Sequence, residues 1–159
     1  MDLNPHIVLR PAQPADASRL TAIARAAKAH WGYPAAWLEV WREALTVTAA
    51  EIAEGRFLVA ELAGEPVGFV ALADEDTGPE IEHLWVTPWA MGRGVGSRLL
   101  AATLAECRAA GVTRVRVVSD PNAAGFYRSR GARPVGEVPS TPSPRRLPLL
   151  VFLLGEPAP

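Results

Sequence analysis

Lysine, cysteine and histidine are scarce in this chain, and each scarcity removes a class of function. Of 159 residues, only Lys28 is a lysine and only Cys107 a cysteine, and the histidines are His6, His30 and His83. A Walker A loop needs Gly-Lys-Ser/Thr four residues after a first glycine; no lysine lies near a glycine-rich stretch, so nucleotide hydrolysis by that device is excluded. A lone cysteine makes no internal disulfide, and Cys107 shares a helical face with Leu100 and Leu104, which suits packing. The histidines lack ligand spacing, so no metal site is expected. Excess charge is lacking too: 16 basic against 17 acidic residues give a formal net charge of -1, too little positive field for nucleic acid. No apolar run approaches the roughly 20 residues that span a bilayer. The stretch Met1–Pro5 lacks the basic and apolar regions of a secretion signal. The expectations are no membrane partner and a cytoplasmic location. With 49% apolar residues, the chain is expected to fold as a single domain over 1–159, with a short tail within 152–159.

Glycine, by contrast, is concentrated where it has chemical consequences. Met91-Gly92-Arg93-Gly94-Val95-Gly96-Ser97 sets three alternating glycines between a strand pattern and an Ala/Leu-rich helix. Without Cβ atoms, successive backbone N–H groups can turn toward one anion, and the helix start adds its partial positive charge. The loop is expected to cradle a phosphorylated ligand; a tight turn that uses glycine for conformation alone is the competing reading. A dinucleotide fingerprint can be forced as Gly92-x-Gly94-x-x-Ser97, with Asp120 as the ribose acid. Three features count against it: Thr87–Met91 separates the loop from its strand, the third glycine is Ser97, and no repeated parallel βαβ halves follow.

Periodicity divides the rest. Ile7 to Arg10 reads as a short strand. Helical spacing runs over Asp16–Ala29 through Leu20, Ile23, Ala24 and Ala27, and over Ala35–Leu45 through Trp37, Leu38, Trp41 and Leu45. Thr48-Ala49-Ala50-Glu51 is a capping box opening a further turn or two that Gly55 ends. The period then shortens to two: Phe57–Leu62 and Val67–Ala73 form a hairpin around Ala63-Gly64-Glu65, and Glu80–Val86 is a third strand. A helix from about Gly94 to Ala110 is stopped by Gly111. There follow a strand over Val112–Ser119, a short helix over Asn122–Arg130 capped by Asn122, and strands near Pro134–Val138 and Leu147–Leu154. Pro139–Pro148 is a proline-rich connection and Glu156–Pro159 a frayed tail.

From Glu80 to Gly131 the chain resembles the GCN5-related N-acetyltransferase (GNAT) family. The matching residues are Glu80-Ile81-Glu82-His83-Leu84-Trp85-Val86, then Arg93-Gly94-Val95-Gly96, then Asn122, Phe126-Tyr127 and Gly131. Met91 departs from the family pattern, which carries Gln or Arg there. A thioether donates no hydrogen bond, so one side-chain contact near the pyrophosphate is lost while the backbone cradle is kept; Arg93 or Arg98 is placed to supply charge. With the element order, the resemblance implies an α/β (α+β) fold: a mixed, mainly antiparallel central sheet of six to seven strands, flanked by about four helices.

The resemblance also implies the activity, direct acetyl transfer from acetyl-CoA as cosubstrate to a primary amine of a small molecule or peptide. In the resembled fold the strand bearing Leu84, Trp85 and Val86 parts from the strand ending at Ser119, and the pantetheine arm pairs with its main chain. An N–H near Leu84 or Trp85 would polarise the thioester carbonyl. The cofactor-side residues are thus Leu84, Trp85, Val86, Met91, Gly92, Arg93, Gly94, Val95, Gly96, Ser97, Asn122 and Tyr127. A protonated amine cannot attack a thioester, so a base must act, directly or through water. Strand alternation puts Glu80, Glu82, Leu84 and Val86 on one face and Ile81, His83 and Trp85 on the other. The family's base matches Glu80, with Glu82 as partner or substitute; solvated charges on an open sheet face are the alternative. Tyr127, a phenol with an ordinary pKa of about 10, matches the acid for the leaving thiolate, against a plain core aromatic beside Phe126.

For the acceptor side, Trp31 and Tyr33 flank a helix break at Gly32 and Pro34 and are lid candidates, and Pro139–Arg146 is a candidate wall. Trp37 and Trp41, one turn apart, read as a core stripe in preference to an aromatic cage for a cationic acceptor. His83 titrates near neutrality and is a weaker proton-relay candidate, packing under the helices being favoured. A noncatalytic acyl-CoA-binding or regulatory module of the same fold is the alternative function, and a homodimer is left open.

Overall fold

The computed structural model describes residues 6–155; Met1–Pro5 and the Glu156–Pro159 tail read in the sequence lie outside the described residues. Among the described residues seven strands form: β1 (Ile7–Pro11), β2 (Arg56–Leu62), β3 (Glu65–Glu75), β4 (Gly78–Val86), β5 (Arg114–Val118), β6 (Arg133–Pro139) and β7 (Arg146–Leu153). They make one sheet in the order β1-β2-β3-β4-β5-β7-β6. The β1–β2, β5–β7 and β6–β7 pairs are antiparallel and the β4–β5 pair is parallel, which is the mixed, mainly antiparallel sheet expected. Among the described residues there are five α-helices, against about four expected: α1 (Ala17–Ala29), α2 (Ala35–Val40), α3 (Ala49–Glu54), α4 (Val95–Ala109) and α5 (Ala124–Ser129). The chain divides into two compact units, Met1–Ala71 with His83–Thr103, and Leu72–Glu82 with Leu104–Pro159.

In the first unit, Leu20, Ile23 and Ala24 of α1 pack with Trp41, Leu45, Val47, Ile52, Val59 and Phe69. The capping box at the head of α3 is complete: the Glu51 N–H donates to Thr48 Oγ1 at 3.1 Å, and Thr48 N–H and Oγ1 donate back to the Glu51 carboxylate. The β2–β3 hairpin turns on Ala63 (φ 51) and Gly64 (φ 79), two successive left-handed residues as a two-residue hairpin loop of this twist requires. The helix read over Ala35–Leu45 is shorter than expected, and α2 ends at Val40. Beyond it the chain runs on as turns that keep some helical bonds, the Trp41 N–H donating to the Trp37 carbonyl and the Leu45 N–H to the Trp41 carbonyl, before the Val47 N–H donates to Thr21 Oγ1.

Two glycines in this unit have backbone where a Cβ would stand: Gly55, whose Cβ would lie 2.8 Å from the Glu51 carbonyl oxygen, and Gly68. A Cβ on Gly68 of β3 would lie 2.9 Å from the Trp85 carbonyl oxygen, 3.0 Å from Val95 Cγ1 and 3.3 Å from Leu99 Cδ1. Gly68 therefore lets β3 approach β4 and the first turns of α4 more closely than any other residue permits. In the second unit, Val115 and Val117 of β5 and Leu150, Val151 and Phe152 of β7 are buried, while β6 is exposed along nearly its whole length.

Gly68→Ala tests the close approach. The added methyl must displace a backbone carbonyl, so the variant is expected to lose about 1–3 kcal/mol, a drop of several degrees in melting temperature for a chain of this size. An unchanged melting temperature would show that the contact relaxes at no cost.

Candidate active site

The glycine loop is anchored at both ends and open between them. Ala90 and Val95 are buried, whereas Gly92, Arg93 and Gly94 are exposed. Gly92 (φ +78) and Gly94 (φ +83) adopt the left-handed conformation, and a Cβ built on either meets nothing within 4 Å. Glycine is thus needed for backbone conformation, and the space beside it is available to a ligand. With α4 beginning at Val95, the exposed N–H groups and the positive end of a 15-residue helix coincide. These residues suit a pyrophosphate. Gly96 and Ser97 continue into the first turn and are half-buried. Met91 is half-buried, with its N–H on the Pro88 carbonyl at 3.2 Å, and adds no side-chain donor. The Arg93 guanidinium lies 5.9 Å from the centre of the exposed Trp89 ring, and Arg98 is exposed.

Leu84, Trp85 and Val86 are half-buried, and the following Thr87 N–H donates to the Val67 carbonyl at 2.8 Å. His83 is 6% exposed, with ring centres 5.6 Å from Phe69 and 6.4 Å from Phe57. Its Nδ1 accepts from Trp85 Nε1 at 3.1 Å. Burial holds its pKa below the ordinary histidine value, opposed by the Glu51 charge. Trp31 is exposed, edge-on to His30 at 5.2 Å. Tyr33 stacks on Trp37 at 6.0 Å and meets Trp41 edge-on at 4.9 Å. The cage and core-stripe readings of these tryptophans merge in an unexpected way. Trp41 is buried, and the cation over its face is the chain's own Lys28, with Nζ 4.3 Å from the Trp41 centroid, 5.0 Å from Tyr33 and 5.9 Å from Trp85.

The second unit holds the other candidates. Tyr127 is 5% exposed, edge-on to Phe126 at 5.4 Å and to Phe152 at 6.3 Å. Burial pushes its pKa well above that of a free phenol, and the Asp120 charge adds to the rise, so the hydroxyl keeps its proton throughout the neutral range. Glu80 is half-buried and Glu82 exposed. Burial raises the Glu80 pKa against the lowering effect of Arg116, with smaller rises from Glu75 and Glu82, which makes Glu80 the more basic carboxylate than a solvated one. Glu80 pairs with Arg116 and Ile81 with Val117, the register of the parallel β4–β5 pair.

Asn122 does not cap α5. The residue at the cap is Ala123, which makes no side-chain cap bond. Asn122 is turned back instead, its N–H and Nδ2 donating to Asp120 Oδ1 at 2.8 and 2.9 Å. An Asx turn at Asp-Pro-Asn has outcompeted the helix end for the amide. Asp120 also meets Arg145 of the proline-rich connection at 3.8 Å, both side chains largely buried.

Three residues that shape these regions escaped the sequence reading. Lys28 continues the buried stripe of Ala24 and Ala27, and that position was the available signal. Asp120 enters the dinucleotide alternative as a ribose acid, but Asp-Pro-Asn is also a turn signature. Gly68 carries no local signal, because its neighbours are distant in sequence. No group of three or more His, Cys, Asp or Glu able to hold a metal occurs among the described residues, and no helix there is long and apolar enough to cross a membrane.

The family model described as the acetyltransferase (GNAT) family matches residues 20–132, and the chain belongs to that family. A GCN5-related N-acetyltransferase from Rhodopseudomonas palustris is similar at 28% identity over 94% of this chain and 96% of that one, with a TM-score of 0.78. The PaiA N-acetyltransferase of Thermoplasma acidophilum, solved with coenzyme A, shares the fold at 19% identity over 93% and 99% of the two chains, TM-score 0.76. A putative acetyltransferase from Salmonella typhimurium, solved with acetyl-CoA, does so at 22% identity over 97% of each chain, TM-score 0.67. No curated protein sequence matches.

The buried His83 makes stability depend on pH. Its folded pKa lies below the unfolded value of about 6.5, so its contribution is complete above that value and is lost as pH falls. Urea denaturation between pH 7.5 and 5 is expected to show declining stability, with a shallower decline in His83→Phe. An identical slope in the variant would assign the effect to other groups.

Proposed function

We propose that this chain transfers the acetyl group of acetyl-CoA directly to a primary amine of a small molecule or peptide. The observation that carries the reading is the exposed pair of left-handed glycines at the head of α4, with ligand space beside both, in a member of the acetyltransferase family. Acetyl-CoA supplies an activated thioester. The backbone N–H groups of Gly92, Arg93, Gly94 and Val95, with Gly96 and Ser97 in the first helical turn, hold the pyrophosphate, and Leu84, Trp85 and Val86 offer main-chain groups to the pantetheine arm. A main-chain N–H at Leu84 or Trp85 supports the thioester carbonyl as it gains charge. Glu80 takes the proton of the ammonium, directly or through water, and Glu82 is its neighbour on the same strand face. Tyr127 serves the departing thiolate. Since burial raises its pKa, its main contribution is hydrogen-bond donation as charge develops on sulfur, with proton delivery following.

The reading is tested by titrating the protein with coenzyme A and by measuring thiol release with a panel of amines. Gly94→Val, which forces a β-branched residue into the left-handed region and fills the ligand space, is expected to weaken coenzyme A binding by more than tenfold. Binding without turnover on any amine would favour the noncatalytic acyl-CoA module. Tyr127→Phe removes only the hydroxyl and is expected to lower kcat by about 10² with acetyl-CoA affinity nearly intact. Lost stability with unchanged kcat would make the hydroxyl structural. Glu80→Gln is expected to lose most activity at neutral pH and to recover at higher pH, where the amine deprotonates unaided; a wild-type pH profile would remove Glu80 from the role.

A further inference from the structure

The connection between β6 and β7 is poor in backbone donors. Pro139, Pro142, Pro144 and Pro148 lack an amide hydrogen, so few main-chain bonds can order the segment. Two of those bonds close around Arg145: the Ser140 N–H donates to its carbonyl at 2.8 Å, and its own N–H donates to the Pro142 carbonyl at 3.1 Å. The Arg145 side chain is largely buried. Its guanidinium lies 3.8 Å from Asp120 Oδ2, and the two side chains are 11% and 7% exposed. A charge pair this far from water is strongly felt by the groups around it.

Asp120 is a junction just beyond the end of β5. Its carboxylate is divided, Oδ1 accepting the N–H and Nδ2 of Asn122 at 2.8 and 2.9 Å while Oδ2 faces Arg145. Its carbonyl accepts the Ala123 N–H at 2.9 Å, and the Ala123 carbonyl in turn accepts the Tyr127 N–H at 3.2 Å. A line of hydrogen bonds thus runs from Asp120 to the backbone of Tyr127. The preceding Ser119 N–H donates to the Pro148 carbonyl at 2.9 Å, which ties the same turn to the far end of the proline-rich connection. All these residues belong to the second unit. The Asp120 charge also reaches the Tyr127 phenol, whose pKa it helps to raise.

A carboxylate that organises this turn is useful for its oxygens and harmful for its charge. Left without a cation, it would oppose the negative charge that the Tyr127 hydroxyl is there to stabilise, and a low dielectric enlarges that opposition. We propose that Arg145 is a positioning residue for acetyl transfer: paired with Asp120, it neutralises the carboxylate that holds the β5–α5 turn and so keeps the Tyr127 hydroxyl available to the departing thiolate. The inference rests on the acetyl-transfer reading and extends its site to the β6–β7 connection.

Arg145→Met removes the charge and keeps much of the apolar stem. With acetyl-CoA and the best amine of the panel it is expected to lower kcat by about tenfold, with KM for acetyl-CoA within about twofold of wild type. Asp120→Asn keeps an oxygen for Asn122 and removes the carboxylate charge, so adding it to Arg145→Met is expected to restore most of the loss; Arg145→Lys is expected to recover part of it. In Tyr127→Phe, where no hydroxyl remains to be served, Arg145→Met is expected to cost little more. Wild-type kcat in Arg145→Met, a loss that Asp120→Asn does not relieve, or a loss that adds in full to that of Tyr127→Phe would overturn the inference and leave the acetyl-transfer reading in place. Wild-type kcat in Tyr127→Phe would instead overturn the acid role of Tyr127 and the positioning role with it. A readout without turnover is available because the chain has two tyrosines: isotope labelling of the phenol carbon gives two NMR signals, which Tyr127→Phe assigns. Arg145→Met is expected to shift the Tyr127 signal and Asp120→Asn to return it, and an unmoved signal would overturn the inference even where no amine is acetylated. Should Arg145→Met not fold, Arg145→Gln, which keeps a donor and removes the charge, carries the same comparisons.

Discussion

The contact at Gly68 sets the geometry on which β3, the end of β4 and the start of α4 depend. A β-strand and a helix normally keep the distance that a Cβ imposes, but at Gly68 the Trp85 carbonyl and the Val95 side chain come within reach of where that atom would stand. Val95 is the first residue of α4, and Trp85 belongs to the strand segment assigned to the pantetheine arm. The same missing methyl thus fixes a helix N-terminus and a row of strand backbone groups against one reference. With Ala90 and Val95 buried on either side, the intervening loop has fixed ends and an exposed middle. That combination lets backbone N–H groups be aimed before any ligand arrives, which lowers the ordering cost of binding.

Burial bears on two basic side chains of the first unit. At His83 it favours the neutral ring, and the Trp85 indole N–H takes advantage by donating to Nδ1. The result is a polar link between two residues on one face of β4. Lys28 meets the same pressure with ring faces. A neutral histidine and a cation over aromatic rings are two solutions to desolvation within one unit.

The strand and helix periods were legible in the sequence, and so was the glycine loop, because each is written in local spacing. Thr48 and Glu51 form the expected capping box for the same reason. Helical spacing at Trp37, Trp41 and Leu45 is real, and the Trp41 and Leu45 N–H groups still donate four residues back, but the segment after Val40 folds as turns and not as a continuous helix. Asn122 has the right chemistry for a cap, but Asp120 is closer to it and holds both its N–H and its amide. Lys28 sits visibly on an apolar stripe, while the rings around it come from the segments on either side of α2 and from β4. Spacing alone could place it on the face without giving a reason for it to remain there.

The directions of the shifts at Tyr127 and Glu80 bear on how proton traffic would be divided. Acetyl transfer to an ammonium requires one proton to leave nitrogen and one to reach sulfur. A base is more effective when its pKa is raised toward neutrality, and burial does this for Glu80 even with Arg116 nearby. The same physical effect on a phenol works the other way for an acid, since a raised pKa weakens its tendency to part with a proton. A free thiol has a pKa near 8.5, below that of the buried phenol, so complete transfer from Tyr127 to a thiolate is uphill unless solvent or the departing ammonium proton restores the balance. What survives burial undiminished is the hydroxyl's capacity to donate a hydrogen bond to developing negative charge, and low dielectric strengthens that bond. In this chain the assignment of Tyr127 is accordingly better founded on stabilising the sulfur as charge appears than on outright protonation.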